Sequence, residues 1–167
     1  RTRKVDVRIV SATNADLALW NGLAYRGLPI SKGKVDIVDL IQASRPFDQY
    51  LVTVQLTGRD ILDILDANIP VGKAIAPMHI DSPGASRLIQ LSGARYVFDR
   101  SRPAGQRILS STIDSHRTYT VALEGQVVER ETILLNGRFL KLNYQTTPMP
   151  FTTALYGYAA RNPRIEP

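Results

Sequence analysis

Apolar and polar side chains alternate along residues 50–56, which predicts a half-buried β-strand. A helix is predicted to follow, because Thr57 is a good N-cap and Asp60 completes a capping-box-like pair with it. Apolar residues then recur at helical spacing, and we expect Ile61 and Leu65 to be buried. The solvated face of this helix is predicted to carry three carboxylates spaced three residues apart: Asp60, Asp63 and Asp66.

The rest of the pattern predicts one further helix, several short strands and a tail at residues 137–163 that combines one strand-like piece with a weakly helical end. The helix covers residues 35–44 and ends before Pro46. Strands are predicted at residues 5–10, 87–93, 94–99, 107–114 and 118–125, with irregular segments at 11–29 and 69–86. This mixture predicts an α+β fold in which layered antiparallel or mixed sheets are covered by helices. The length of 167 residues fits a single domain over residues 1–167.

The composition excludes several kinds of catalytic and metal-binding site. Cysteine is absent, which excludes disulfides, thiol catalysis and thiolate metal sites. The two histidines, His79 and His116, have no second metal-type ligand at short spacing, so we predict no metal site in this chain. The formal charge of +6 serves either solubility or an anionic ligand, and the scattered arginines argue against a nucleic-acid groove. No apolar run is long enough to span a bilayer.

The start of the chain is also informative. It opens at Arg1 without a methionine and carries no signal peptide. We therefore expect it to be a piece of a longer protein.

Three stretches, in this order, resemble the C-terminal domain of the 5'-nucleotidase family. The first, residues 33–65, contains a helix, the pair Pro46-Phe47, a strand and a Leu-Thr-Gly run that opens the next helix. The second, residues 88–108, has a strand ending in Ser-Gly, an aromatic strand, an aspartate, a Pro-Gly turn and an arginine. The third is the strand TYTVAL at residues 118–123. The resemblance covers about residues 5–125.

The resemblance implies a two-domain parent enzyme. In this family an N-terminal metallophosphoesterase domain holds two divalent metal ions, zinc or manganese, which activate water against a phosphate ester. The C-terminal domain binds the nucleotide and presents its phosphate to those metals. This sequence contains none of the metal motifs of the first domain, so the fragment alone is expected to be inactive and to hold no cofactor. The resemblance also implies a periplasmic or extracellular location. It is compatible with a homodimer.

The resemblance further assigns candidate ligand residues. Phe47 takes the position of the phenylalanine that stacks on the nucleobase, where a rigid, flat apolar face is needed. Gln49 could replace the amide of the family's asparagine, although Asp48 stands where the family has glycine. The family's loop after the first strand supplies an anion-binding arginine. Arg26 is the best candidate for this arginine. The family's loop can also be aligned so that it begins at Asn14.

Departures from the family pattern leave two functions open. The glycine-rich loop that brings a second aromatic ring after TYTVA is missing, and only Phe139 or Tyr144 could substitute for that ring. Trp20 could be a replacement platform or a loop anchor packed on the core. The first function is the nucleotide-binding or phosphoester-binding domain of a hydrolase. The alternative is a degenerate, non-catalytic domain kept for dimerisation or structural support of the parent.

Overall fold

The described part of the chain contains seven strands and three helices. In the computed structural model, the described residues are 14–21, 33, 36–43, 50–69, 89–125 and 144–161. The strands are β1 (Leu17–Asn21), β2 (Tyr50–Thr57), β3 (Ile89–Ser92), β4 (Tyr96–Phe98), β5 (Ile108–Ser111), β6 (Thr118–Glu124) and β7 (Tyr144–Pro150). The helices are α1 (Ile37–Ala43), α2 (Gly58–Ala67) and α3 (Phe151–Arg161).

Five of the strands form one mixed sheet in the order β3-β1-β6-β2-β7. Strands β1 and β6 run parallel, with Leu17 opposite Val121, and every other pair in the sheet is antiparallel. Strand β2 runs against β6, with Leu51 opposite Glu124. The carboxyl ends of β1 and β6 and the amino end of β2 therefore lie at the same edge of the sheet. A mixed sheet with helices confirms the predicted α+β fold.

Both faces of this sheet are covered, each by its own helix. Alternate side chains of β2 (Val52, Val54 and Leu56) pack with Ile61 and Leu65 of α2 on one face. On the other face, α3 packs on small and apolar side chains from three strands: Ala18, Leu51 and Ala122. The predicted burial of Ile61 and Leu65 is confirmed, because they are only 0% and 1% exposed.

The strand–helix unit predicted at residues 50–68 forms as expected. The Thr57 hydroxyl accepts a hydrogen bond from the Asp60 backbone N–H, and the Asp60 carboxylate accepts one from the Thr57 backbone N–H. This reciprocal pair is the predicted capping box, and it satisfies two backbone donors at the start of α2. None of the helices in the described part of the chain is long and apolar enough to cross a membrane.

The sequence prediction was wrong for β1, which lies inside the segment expected to be irregular. Leu17 and Leu19 point into one core cluster and Ala18 into the other, so the strand is buried on both sides. A strand buried on both faces reads as a continuous apolar run without alternation, and periodicity therefore does not reveal it. The strand predicted at residues 5–10 lies outside the described residues.

Strands β4 and β5 form a separate antiparallel hairpin. Tyr96 and Ile108 on its inner face pack against the core cluster that α2 covers. Burial raises the pKa of the Tyr96 phenol above its ordinary value. At the turn, hydrogen bonds from the Ser101 hydroxyl and backbone N–H lower the pKa of Asp99.

Candidate functional site

Three chain connections meet at one end of the main sheet, where β1 and β6 end and β2 begins. We call this end the candidate edge. The chain leaves β1 after Asn21 and leaves β6 after Glu124, and these two strands are parallel neighbours. It enters β2 at Tyr50, next to the end of β6. The segments that carry the predicted ligand residues Arg26, Phe47 and Gln49 are therefore all attached at this edge. These three residues lie outside the described part of the chain.

Asn14, the other predicted ligand residue, lies at the opposite end of β1. Its backbone has φ 52°, a left-handed conformation that asparagine tolerates better than most residues, and its side chain is exposed. Strand β1, Leu17–Asn21, is about 13 Å long at 3.3 Å per residue, and Asn14 precedes it in a turn. The connection that holds Arg26 leaves β1 at its other end, after Asn21, and both roles stay predictions.

A buried carboxylate lies at the same edge as the three connections. Glu124, the last residue of β6, is only 4% exposed. Its side chain shares the α3 face of the sheet with Ala122, because alternate residues of a strand point the same way. Sequence reasoning missed Glu124, and its only signal was an acidic residue that ends an otherwise apolar strand.

Trp20 belongs to strand β1 and packs on the core. Its indole stacks on the ring of Phe151, the first residue of α3, with ring centroids 4.2 Å apart and planes 25° from parallel. The indole Nε1 is buried and has no hydrogen-bond partner among the described residues. Trp20 is therefore a core anchor carried by a strand, where the sequence suggested a loop. One face of its ring is already covered by Phe151 and is not available to a base.

The structure separates Tyr144 from the candidate edge. Tyr144 is exposed and pairs with Val54 across strands β7 and β2, whereas Tyr50 pairs with Pro150 at the edge. The two pairs are about 13 Å apart at 3.3 Å per residue. Tyr144 is thus poorly placed to supply the second stacking ring, and Phe139 lies outside the described residues.

The opposite edge of the sheet is held by close backbone contacts. Gly58, the glycine of the Leu-Thr-Gly run, donates its N–H to the Arg117 carbonyl at 2.8 Å. A Cβ added at Gly58 would overlap the Asp114 carbonyl oxygen and lie 2.7 Å from its carbonyl carbon. Asp16 binds the Arg117 guanidinium at 2.6 Å and the Thr120 backbone N–H at 2.9 Å. The Leu-Thr-Gly run therefore serves the scaffold.

The predicted solvated row of carboxylates is wrong at Asp66. Its carboxylate is buried and accepts hydrogen bonds from the backbone N–H groups of Gly105 at 2.5 Å and Arg107 at 2.6 Å. The Arg107 guanidinium in turn donates to the Asp66 carbonyl at 3.1 Å. Asp60 caps the helix, and Asp63 pairs with Arg59 at 3.5 Å. Helical spacing does not predict this contact, because the hairpin turn that covers Asp66 is distant in sequence.

The described residues offer no obvious metal centre. They include no group of three or more His, Asp or Glu side chains that could hold a metal ion. His116 is exposed in the turn before β6, where its backbone N–H donates to Asp114. His79 lies outside the described residues.

The family model described as 5'-nucleotidase, C-terminal domain, matches residues 6–128, well over half of the chain. A search of curated proteins gives no match. The family match confirms the resemblance predicted from the three sequence stretches.

Solved structures share the fold at low sequence identity. A 5'-nucleotidase precursor from Thermus thermophilus aligns with TM-score 0.74 and 23% identity, over 96% of this chain and 31% of that one. The NAD nucleotidase of Haemophilus influenzae aligns with TM-score 0.74 and 19% identity, over 94% of this chain and 29% of that one. A sulfate thiohydrolase, also from Thermus thermophilus, aligns with TM-score 0.64 and 19% identity, over 95% and 29%. The chain thus spans less than a third of these proteins' lengths.

Proposed function

The chain belongs to the 5'-nucleotidase C-terminal domain family, and on that premise we propose that it is the substrate-binding part of a longer phosphoester hydrolase. Its ligand is a nucleotide or a related phosphoester. The observation that carries the proposal is the meeting of three connections at one sheet edge. Two of these connections hold the predicted ligand residues, Arg26 in one and Phe47 and Gln49 in the other.

The reaction itself is assigned to another domain of the parent protein. The described residues contain no cluster that could hold a metal, and similar structures are more than three times as long as this chain. We infer that an N-terminal metallophosphoesterase domain supplies two divalent ions, zinc or manganese, and that these activate water for attack on phosphorus. The family also suggests a periplasmic or extracellular location for the parent.

A second candidate is a degenerate domain that supports the parent or a homodimer without binding substrate. Two observations favour it. Tyr144 lies away from the candidate edge and so does not replace the missing second ring, and Phe151 covers one face of Trp20. The similar structures also include both a NAD nucleotidase and a sulfate thiohydrolase, so the fold is compatible with different substrates.

We expect nucleotide binding to be weak and to depend on Phe47. One aromatic ring stacked on a base contributes about 1–3 kcal/mol, whereas about 4 kcal/mol is needed for a dissociation constant of 1 mM. Adenosine and AMP should therefore bind with millimolar constants or weaker, and Phe47→Ala should abolish the binding. Chemical-shift titration by NMR measures it.

Tyr144→Ala is the matched control, because it removes an exposed aromatic ring away from the candidate edge. It should leave the nucleotide titration unchanged. Micromolar binding that survives Phe47→Ala would move the ligand to another site. The absence of any shift at high nucleotide concentration would favour the degenerate domain.

The isolated chain should release no phosphate from AMP. Water activation by metals needs a ligand cluster, which the described residues lack. Purified protein is incubated with AMP and added manganese or zinc, and inorganic phosphate is measured against a buffer control. Turnover that co-purifies with this chain would contradict the assignment of catalysis to another domain.

A further inference from the structure

The β4–β5 hairpin exposes two apolar side chains on its outer surface. Val97 is 57% exposed and Leu109 is 47% exposed. Together with Arg95, Arg100 and Arg102, which are also exposed, we call these residues the basic hairpin face. Nothing in the proposed substrate-binding role uses this face.

The strand geometry explains why both apolar side chains point outward. Tyr96 and Phe98 face inward and stack on each other at 5.7 Å, so Val97 between them faces outward. Val97 pairs with Ser110, but Phe98 pairs with Ile108, which leaves Leu109 as an extra residue in β5. A β-bulge changes the direction in which the side chain of the extra residue points. Leu109 is therefore presented on the same outer surface as Val97.

The hairpin that carries this apolar pair is positively charged. Residues 94–112 hold four arginines and one aspartate, a net charge of +3, which is half of the chain's formal +6. Arg102 forms a loose pair with Asp99 at 3.7 Å, and Arg107 is bound to the carbonyl groups of Asp66 and Arg102. No ion pair involves Arg95 or Arg100 within the described part of the chain.

The hairpin is also held in a fixed position. The buried carboxylate of Asp66 binds two backbone N–H groups of the turn, and Arg107 ties the turn to the end of α2. The outer surface is thus presented without further ordering of the backbone, which lowers the entropic cost of binding.

We propose that the basic hairpin face docks the protein on an anionic lipid surface. A second copy of the chain does not fit, because two faces of charge +3 repel each other. A specific protein partner is disfavoured, since stable interfaces bury about 800 Å² on each side and this face offers only two apolar side chains. The free energy of attraction to anionic lipids instead increases with each arginine near the surface. It does not require a partner of complementary shape. The two apolar side chains add buried apolar area, with which binding at a membrane interface also scales.

Co-sedimentation with vesicles tests the proposal. The full 167-residue chain should sediment at low salt with vesicles of phosphatidylcholine mixed with phosphatidylglycerol, and remain in solution with phosphatidylcholine alone. The double variant Arg95→Gln/Arg100→Gln should lower the partition coefficient about fivefold for each arginine, or about 25-fold in all. Val97→Ser/Leu109→Ser should also weaken binding while keeping its salt dependence.

The matched control is Arg59→Gln/Arg161→Gln, which removes the same charge from α2 and α3. An equal loss in this control would mean that overall charge, and not the hairpin, drives binding, and would overturn the assignment. Failure of the unmodified chain to bind the anionic vesicles would overturn it as well. Binding to soluble polyglutamate but not to vesicles would replace the lipid with an acidic protein partner. Near-ultraviolet circular dichroism verifies that each variant is folded.

Discussion

Replacing Gly58 with alanine should destabilise the protein by about 3 kcal/mol or more, at the upper end of the usual cost of overpacking. The added methyl group would overlap the Asp114 carbonyl oxygen and lie 3.0 Å from the Ile113 side chain. Backbone atoms cannot move aside as a flexible side chain can, so α2 would have to shift against the turn that precedes β6. Urea denaturation measures the change in the free energy of unfolding.

Gly157→Ala is the matched control for this prediction. Gly157 lies inside α3, and an added Cβ would meet only the Arg161 guanidinium, at 3.4 Å or more. Because alanine is favoured over glycine within a helix, this substitution should stabilise the protein by up to about 1 kcal/mol. Equal effects of the two substitutions would contradict the close approach of Gly58 to the Asp114 carbonyl.

Removing the Asp66 carboxylate should cost about 3 kcal/mol of stability. Asp66→Ala leaves the backbone N–H groups of Gly105 and Arg107 without their acceptor. Each lost hydrogen bond to a charged group contributes about 1.5–3 kcal/mol, and partial rehydration of the exposed Gly105 limits the sum. Urea denaturation gives the loss, and hydrogen exchange of the Gly105 and Arg107 amides should accelerate in the variant.

Asp63→Ala provides the comparison on the same helix. Asp63 forms a pair with the largely exposed Arg59, and a surface pair of this kind contributes about 0–1 kcal/mol. Its removal should leave the exchange of the Gly105 amide unchanged. A similar loss of stability at both positions would show that Asp66 acts only as a member of the helix surface.

The contacts of Gly58 and Asp66 show which of the family's sequence features support the scaffold. The Leu-Thr-Gly run caps α2 and allows the close approach of Gly58 to Asp114. The arginine after the Pro-Gly turn, Arg107, locks the hairpin onto α2. Both features support the scaffold whether or not a ligand is bound. The connections at the carboxyl ends of β1 and β6 and at the amino end of β2 decide between substrate binding and a degenerate domain, and those are where the sequence departs from the family pattern.

Local sequence was sufficient for the unit formed by β2 and α2. The alternation of residues 50–56 and the Thr57–Asp60 capping box are interactions between neighbours in the chain, so their pattern is visible without a structure. The α+β class followed from the order of such elements. The same local rules failed for β1, because its side chains are buried on both faces and give no period.

Tertiary structure decided what surrounds each side chain. The three aspartates of α2 are alike in sequence spacing, yet only Asp66 is buried, because the distant hairpin turn folds over it. Trp20 acquires its stacking partner from α3, near the other end of the chain. The shared edge that unites the predicted ligand segments arises from the parallel pairing of β1 with β6 and the antiparallel pairing of β2. Such contacts join residues far apart in sequence, and no local pattern encodes them.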